Sequence, residues 1–375
     1  MINEKSIYKN LQKHLNKQPV GYPATQSGIE IRLLKHFFSP EEAQLAMKLN
    51  YKPRSMEQIY HKVKESDISF NDMQNRLDRM LKNGVIGHME REGVRYFFNI
   101  PLVVGMYEGQ LDRLTPEFLA DFKKYTSHKI YGLEFLSTEL SQMRTIPIEK
   151  SIQIEHHVAT YDQLTNLINQ SDAVVINECI CRKAASMRGN PCQRTTRLET
   201  CMALGDIAKN CIRNGIGREI SKKEAHDIAH QNESDGLILQ PSNSQKAEFI
   251  CACCGCCCGM LSVYNRLSRP HEFWTTNYYA SVDPEKCTSC KICVERCQVN
   301  VIGMDEHLDV STIDMDRCIG CGICVSSCPS EAITLFKKDN PVVPPEDSEE
   351  LYEIIMNNKK GTLDKIKHVM RLMRK

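Results

Sequence analysis

No cysteine occurs before Cys179, and the 375-residue chain holds a single tryptophan. No run of residues approaches the roughly 18 apolar positions that a membrane-spanning helix needs. Charge of one sign is missing too. The formal net charge is +1, so no global field recruits nucleic acid or an anionic membrane. The opening stretch, MINEKSIYKNLQKHLNKQPV, is polar and lacks the apolar middle of a secretory signal, which leads us to expect a cytoplasmic protein. No Walker-type loop is present. No G-x-G-x-x-G follows a strand-like segment, and Asn214-Gly-Ile-Gly-Arg218 follows a helical one, so neither nicotinamide nor flavin binding is indicated.

What the chain does have is cysteine, 19 in all, crowded into its second half. Disulfide-stapled domains are usually short and secreted. Here the spacing is too tight for bridges, because six of the eight residues 251–258 are Cys. Thiols this dense are an oxidation hazard unless metal holds them, which suggests a reducing, oxygen-poor cell interior. The 41% hydrophobic and 25% charged fractions are ordinary for a globular chain of two or three domains.

Composition divides the chain into five segments. Residues 1–105 read as a helix-rich, winged-helix-like domain. Ser39-Pro40-Glu41-Glu42 and Ser55 with Gln58 are helix starts. Residues 69–83 form a third helix with Met73, Leu77, Met80 and Leu81 on one face, and Asn83-Gly84 ends it. Two strands around Val85–Met89 and Val94–Phe98 make a hairpin through the charged turn at 90–93. Residues 106–150 read as a helical linker or dimerisation segment. Residues 151–270 read as a mixed α/β, Cys-rich metal-binding domain. It has strands at 153–158, 173–176 and 237–239, a helix over 198–214, and another opened by Ser221 with Glu224. Residues 280–340 form a further module, and 341–375 an acidic Pro-rich linker with a basic helical tail. The fold class expected is therefore α+β and multidomain.

Within 280–340 two segments align on each other. Cys287, Cys290, Cys293 and Cys297 repeat as Cys318, Cys321, Cys324 and Cys328, each C-x2-C-x2-C-x3-C, at an offset of 31 residues. Each C-x2-C-x2-C loop reaches three iron corners of a [4Fe–4S] cube, and the fourth cysteine reaches the neighbouring cube. This assigns one cluster to Cys287, Cys290, Cys293 and Cys328, and the second to Cys318, Cys321, Cys324 and Cys297. Zinc sites prefer paired C-x2-C and four ligands in total, a poor match. The segment resembles a bacterial two-cluster ferredoxin, with one departure: Pro329 follows Cys328, but Gln298 stands where the family has Pro after Cys297.

The other eleven cysteines lie upstream. Cys179 and Cys181 follow a short strand. If the chain stays extended there, their side chains share one side. Cys201 is expected early in a helix, where the positive end of the dipole favours thiolate. Cys211 is as well explained by a core position. We expect one or more additional iron–sulfur clusters built from Cys179, Cys181, Cys192 and Cys201 with Cys251, Cys253, Cys254, Cys256, Cys257 and Cys258. Gly255 and Gly259 supply turns. Zinc is the alternative metal, and persulfide or disulfide chemistry a third reading. Arg182 and Arg188 sit beside these thiols and could raise a cluster's potential, although solvated surface charge is the stronger expectation for either one alone. His156 and His157 are expected to point apart on a strand and to be surface or packing residues.

The whole pattern, a C-x-C-R motif, a later C-C-x-C-C-C run and a C-terminal two-cluster module, is similar to a group of prokaryotic iron–sulfur proteins of anaerobes. The resemblance implies metal binding and no particular reaction. The leading expectation is an electron-transfer protein serving a redox partner protein or a metal centre of its own. The alternatives are a redox-responsive regulator using the N-terminal head and a reductase with an open-site cluster. Residues 41–100 hold ten Lys/Arg against nine Asp/Glu, so DNA is possible but not favoured as a partner. The amphipathic tail, with Lys365, Lys367, Arg371, Arg374 and Lys375, could dock an acidic partner or a membrane surface, though a solvated terminal helix is the stronger expectation.

Overall fold

The computed structural model describes residues 4–63, 68–152 and 158–374. They divide into two compact units, Met1–Glu139 with Tyr352–Val369, and Leu140–Leu351 with Met370–Lys375. The expected strand at 153–158 and the pair His156-His157 fall on or against residues outside the described ones, apart from Val158, which is buried.

In the first unit the local signals work as the chemistry predicts. Ser39 and Glu42 form a reciprocal capping box at the start of helix Pro40–Ala46. Ser55 and Gln58 exchange the same pair of hydrogen bonds before helix Met56–Val63. Ser69 caps helix Phe70–Lys82, whose buried stripe is Met73, Leu77, Met80 and Leu81. Gly84 then takes φ +64°, and a Cβ there would collide with Gly109. Strands Ile86–Arg91 and Val94–Asn99 pair antiparallel through Glu92-Gly93, both left-handed, as a two-residue hairpin turn requires. The short strand Arg54–Ser55 adds to the far side of Val94–Asn99 and completes a three-stranded sheet. Helices Pro116–Thr126 and Lys129–Phe135 follow.

The second unit is built on a five-stranded antiparallel sheet. Its order is Arg218–Glu219, Val174–Glu178, Glu199–Leu204, Phe249–Cys253, Ile238–Pro241. Two local expectations are corrected here. Residues 199–204 are strand rather than helix, and the helix is confined to Gly205–Asn214. Pairing with Val174–Glu178 on one side and Phe249–Cys253 on the other overrides the helix propensity of these residues. Gly205, at φ +53°, turns the chain from strand to helix. The chain also does not stay extended past Cys179. That residue is the N-cap of helix Ile180–Met187, which carries Cys181 on its first turn.

A buried ion pair, Arg144 with Asp162 at 3.3 Å, ties the sheet to the following module. Arg144 also donates to the Ser244 carbonyl at 2.8 Å, and Asn277 donates to Asp162 at 2.9 Å. The module has two ribbons, Tyr278–Val282 with Ile333–Lys337 and Ile302–Asp305 with Val310–Ile313. Its internal repeat is written into the backbone. Ser289, Lys291 and Asn300 take left-handed φ of 56°, 61° and 54°. Their equivalents 31 residues on, Gly320, Gly322 and Glu331, take 61°, 76° and 52°. Lys291 and Gly322 are the N-caps of the two short helices Ile292–Arg296 and Ile323–Ser326. Gly is required at 322 because a Cβ would collide with Ser151. The segment after the module forms helices Ser348–Asn357 and Thr362–Met373, with Leu372 buried and Arg371 paired to Glu272 at 2.5 Å.

Candidate metal centres

Cys287, Cys290, Cys293 and Cys328 line one small apolar cavity with Val282, Ile292 and Ile333. This is the set that crossing the fourth cysteine between halves requires. On the other side, Cys318, Cys321 and Cys324 are near enough to Cys297 for its charge to act on all three. Backbone amides point at the sulfurs with the same repeat. Val301 N–H donates to Cys297 Sγ at 3.5 Å, and Ala332 N–H to Cys328 Sγ at 3.3 Å. Ser311 and Ala280 N–H donate to Cys287 and Cys318, each at 3.4 Å. Donation from Ser311 and Ser289 amides lowers the Cys287 thiol, whereas burial pushes Cys293, Cys318, Cys321 and Cys324 up. Thiols in two sets of four, two of each set accepting backbone amides, suit [4Fe–4S] cubes, whose own iron supplies the countercharge.

Residues 286–332 match the family described as a 4Fe-4S dicluster domain. Such a domain implies two [4Fe–4S] clusters. No curated protein matches the chain. Among the described residues, no helix is long and apolar enough to cross a membrane.

The upstream cysteines separate into two groups and one outsider. Cys211 is the outsider, packed with Val175, Ala203 and Ala208, its thiol pushed up to about 11 by burial. Cys192, Cys254, Cys256 and Cys257 converge so that all four sulfurs lie within 4.8 Å of one another. Cys192 is 3.6 Å from Cys254 and 3.7 Å from Cys256, and Cys256 is 3.7 Å from Cys257. Burial would raise Cys192, but the amides of Arg194 and Thr195 and the thiols of Cys254 and Cys256 outweigh it and bring it to about 7.

The remaining six form a closed ring. Cys179 neighbours Cys181 and Cys201, and Cys181 also neighbours Cys258. Cys258 reaches Cys253, Cys253 reaches Cys251, and Cys251 returns to Cys201. Three elements deliver them: strand Phe249–Cys253, whose alternation puts Cys251 and Cys253 on one face; the neighbouring strand, whose register (Met202 opposite Ile250) carries Cys201 opposite Cys251; and the turns leading into helices Ile180–Met187 and Gly259–Tyr264. Thiols alternate around the ring. Interaction with the neighbouring thiols pulls Cys179, Cys258 and Cys251 down, and pushes Cys181, Cys253 and Cys201 up. Cys201 is a strand residue, so no helix end acts on it.

Two features escaped the sequence reading. Arg182 is not solvated surface charge, for it is 1% exposed and donates to Thr200 Oγ1 and, at 2.6 Å, to the Ala252 carbonyl. Burial alone would lower it, but the charges of Cys179, Cys254, Cys201 and Cys192 hold it up. Arg188, by contrast, is exposed. The second feature is Gln298, buried between the module and the Cys-rich run. Its replacement of the family proline was the visible signal, and its partners were not.

Proposed function

We propose that this chain is an iron–sulfur electron-transfer protein whose dicluster module relays single electrons between a redox partner protein and the thiol-rich centre of its own second unit. When bound, each [4Fe–4S] cluster supplies reversible one-electron reduction. Eight cysteines saturate the iron corners, so the module has no open position for bond chemistry. The observation that carries the reading is the close packing of the two thiol fields. Gln298, adjacent to Cys297, bonds Gly255 in the middle of the 251–258 run at 2.9 Å. Arg194, near Cys192, donates to the Glu295 carbonyl at 2.8 Å. Tyr264, one helix from Cys258, donates to the carbonyl of Arg317, next to Cys318.

Anaerobic purification with iron and acid-labile sulfide analysis, followed by EPR during reductive titration, tests this. About eight irons or more with reducible cubes supports it. A chain whose irons take up no electron from dithionite rejects it.

The 40–99 segment is read as a winged-helix-like head that docks protein rather than DNA. On helix Phe70–Lys82, Arg79 is paired with Glu42 at 3.0 Å and Asp78 with Arg95 at 2.5 Å, which neutralises charge a phosphate backbone would need. Retention of a DNA fragment at low salt in either redox state would favour a regulator instead.

A further inference from the structure

We infer that the ten upstream cysteines make two separate metal sites of different nuclearity: Cys192, Cys254, Cys256 and Cys257 take a single tetrahedral zinc or iron ion, and the ring of Cys179, Cys181, Cys201, Cys251, Cys253 and Cys258 takes a polynuclear metal–sulfur centre. This deepens the electron-transfer reading and rests on it for the use of the second site.

Sulfur spacing separates the two. Four thiolates on one tetrahedral ion stand about 3.8 Å apart in every pair, which is about 1.63 times a metal–sulfur bond of roughly 2.3 Å. Three of the quartet's six pairs, at 3.6, 3.7 and 3.7 Å, have that spacing, and the others lie within 4.8 Å. Thiolates on separate corners of a cube are carried further apart, each outward on its own iron. Among the described residues, the quartet is the one set of three or more such ligand atoms that lie mutually within 4.8 Å. The ring therefore offers neighbours in pairs but no three converging thiols. A centre with several metal atoms meets a ring of this kind naturally, because each thiol then caps or bridges a different metal.

Arg182 supplies an independent observation. Its guanidinium is 1% exposed, and its hydrogen bonds go to neutral oxygens of Thr200 and Ala252. Its Nε has no protein partner. An unpaired buried cation costs several kcal/mol. The groups that surround it are Cys179 and Cys201 of the ring and Cys192 and Cys254 of the quartet. Ligated thiolates at both sites give that cation its counter-charge, and neutral thiols do not. The residues it grips, Thr200 and Ala252, lie on the two strands that present Cys201, Cys251 and Cys253.

The test uses the full chain, purified and reconstituted anaerobically, with metals and acid-labile sulfide counted per chain alongside native mass. Cys192→Ser with Cys257→Ser should remove one metal atom and no sulfide. Cys201→Ser with Cys253→Ser should remove two or more metal atoms. Each variant should keep the irons and EPR signals of the dicluster module, which reports that the second unit has folded. X-ray absorption of the unaltered protein covers the case in which a variant fails to fold: a mononuclear four-sulfur shell at the zinc or iron edge supports the quartet, and its absence overturns it. The proposal is also overturned if both double variants lose the same four-iron, four-sulfide package. It fails equally if the ring variant loses one metal or none, or if alkylation mapping finds the ring cysteines paired as disulfides. A chain that carries both sites yet accepts no electrons defeats the functional reading and leaves the two sites standing.

Discussion

Gln298 clasps Gly255: its side-chain oxygen accepts the Gly255 N–H at 2.9 Å while its side-chain nitrogen donates to the Gly236 carbonyl at 3.1 Å. The residue after Cys297 thus locks the dicluster module onto the middle of the cysteine run. Gln298→Leu would leave one buried and one half-buried backbone group unpaired. We expect a loss of about 1–3 kcal/mol in denaturant unfolding of the anaerobic protein. The eight module irons should be retained, since Gln298 is no ligand.

The same contact explains the glycine. A Cβ at position 255 would collide with the backbone oxygen of Gln298, an atom that cannot swing aside. Gly255→Ala should therefore cost about 1–3 kcal/mol by overpacking. It should release metal from Cys192, Cys254, Cys256 and Cys257 before any other site, because Gly255 lies between two of those ligands. Metal release to a chelator, followed with time, measures the order.

Arg182 is a buried counter-charge to the upstream thiols. Arg182→Met keeps volume and removes charge. Metal bound upstream should fall by at least one atom per chain, and any upstream redox signal should move to lower potential, because positive charge favours the reduced state. The dicluster signals should not shift. Elemental analysis with EPR-monitored titration reads both.

Glu248 should make stability depend on pH. Burial raises its carboxyl to about 7, against the hydroxyl of Ser348, which donates at 2.8 Å and favours the anion. Asp206 and Asp347 raise it further. A raised carboxyl means that the folded chain holds the proton more tightly than the unfolded one. Its contribution is fully present below about 4.5 and is lost as pH climbs through about 7. Between pH 5 and 8 the protein should lose on the order of 1–3 kcal/mol relative to Glu248→Gln. Unfolding midpoints of the two proteins across that range check the sign.

The legible part of this chain was its local chemistry. Ser39 with Glu42, Ser55 with Gln58 and the turn at Glu92-Gly93 acted as their residue types require, because each is settled within four residues. The 31-residue repeat was legible for the same reason. Cys287 and its equivalents carry ligand spacing in the chain itself, and the left-handed positions at Ser289 and Gly320 only express it. Cys201 was misplaced because helix propensity in 199–204 is a weak preference that two flanking strands reversed.

By itself, then, the sequence determined that two cysteine-rich repeats share a module, that eleven more cysteines lie upstream, and that Gln298 is an odd residue at its place. Tertiary structure alone decided how those eleven divide. Sorting Cys254 from Cys253, adjacent in the chain, depends on strand alternation and on the turn that follows. Joining Cys201 to Cys251 depends on which strands pair and in what register. Burying Arg182 between the groups depends on both. These are long-range contacts, and a thiol's neighbours are set by the elements that close around it rather than by the residues beside it.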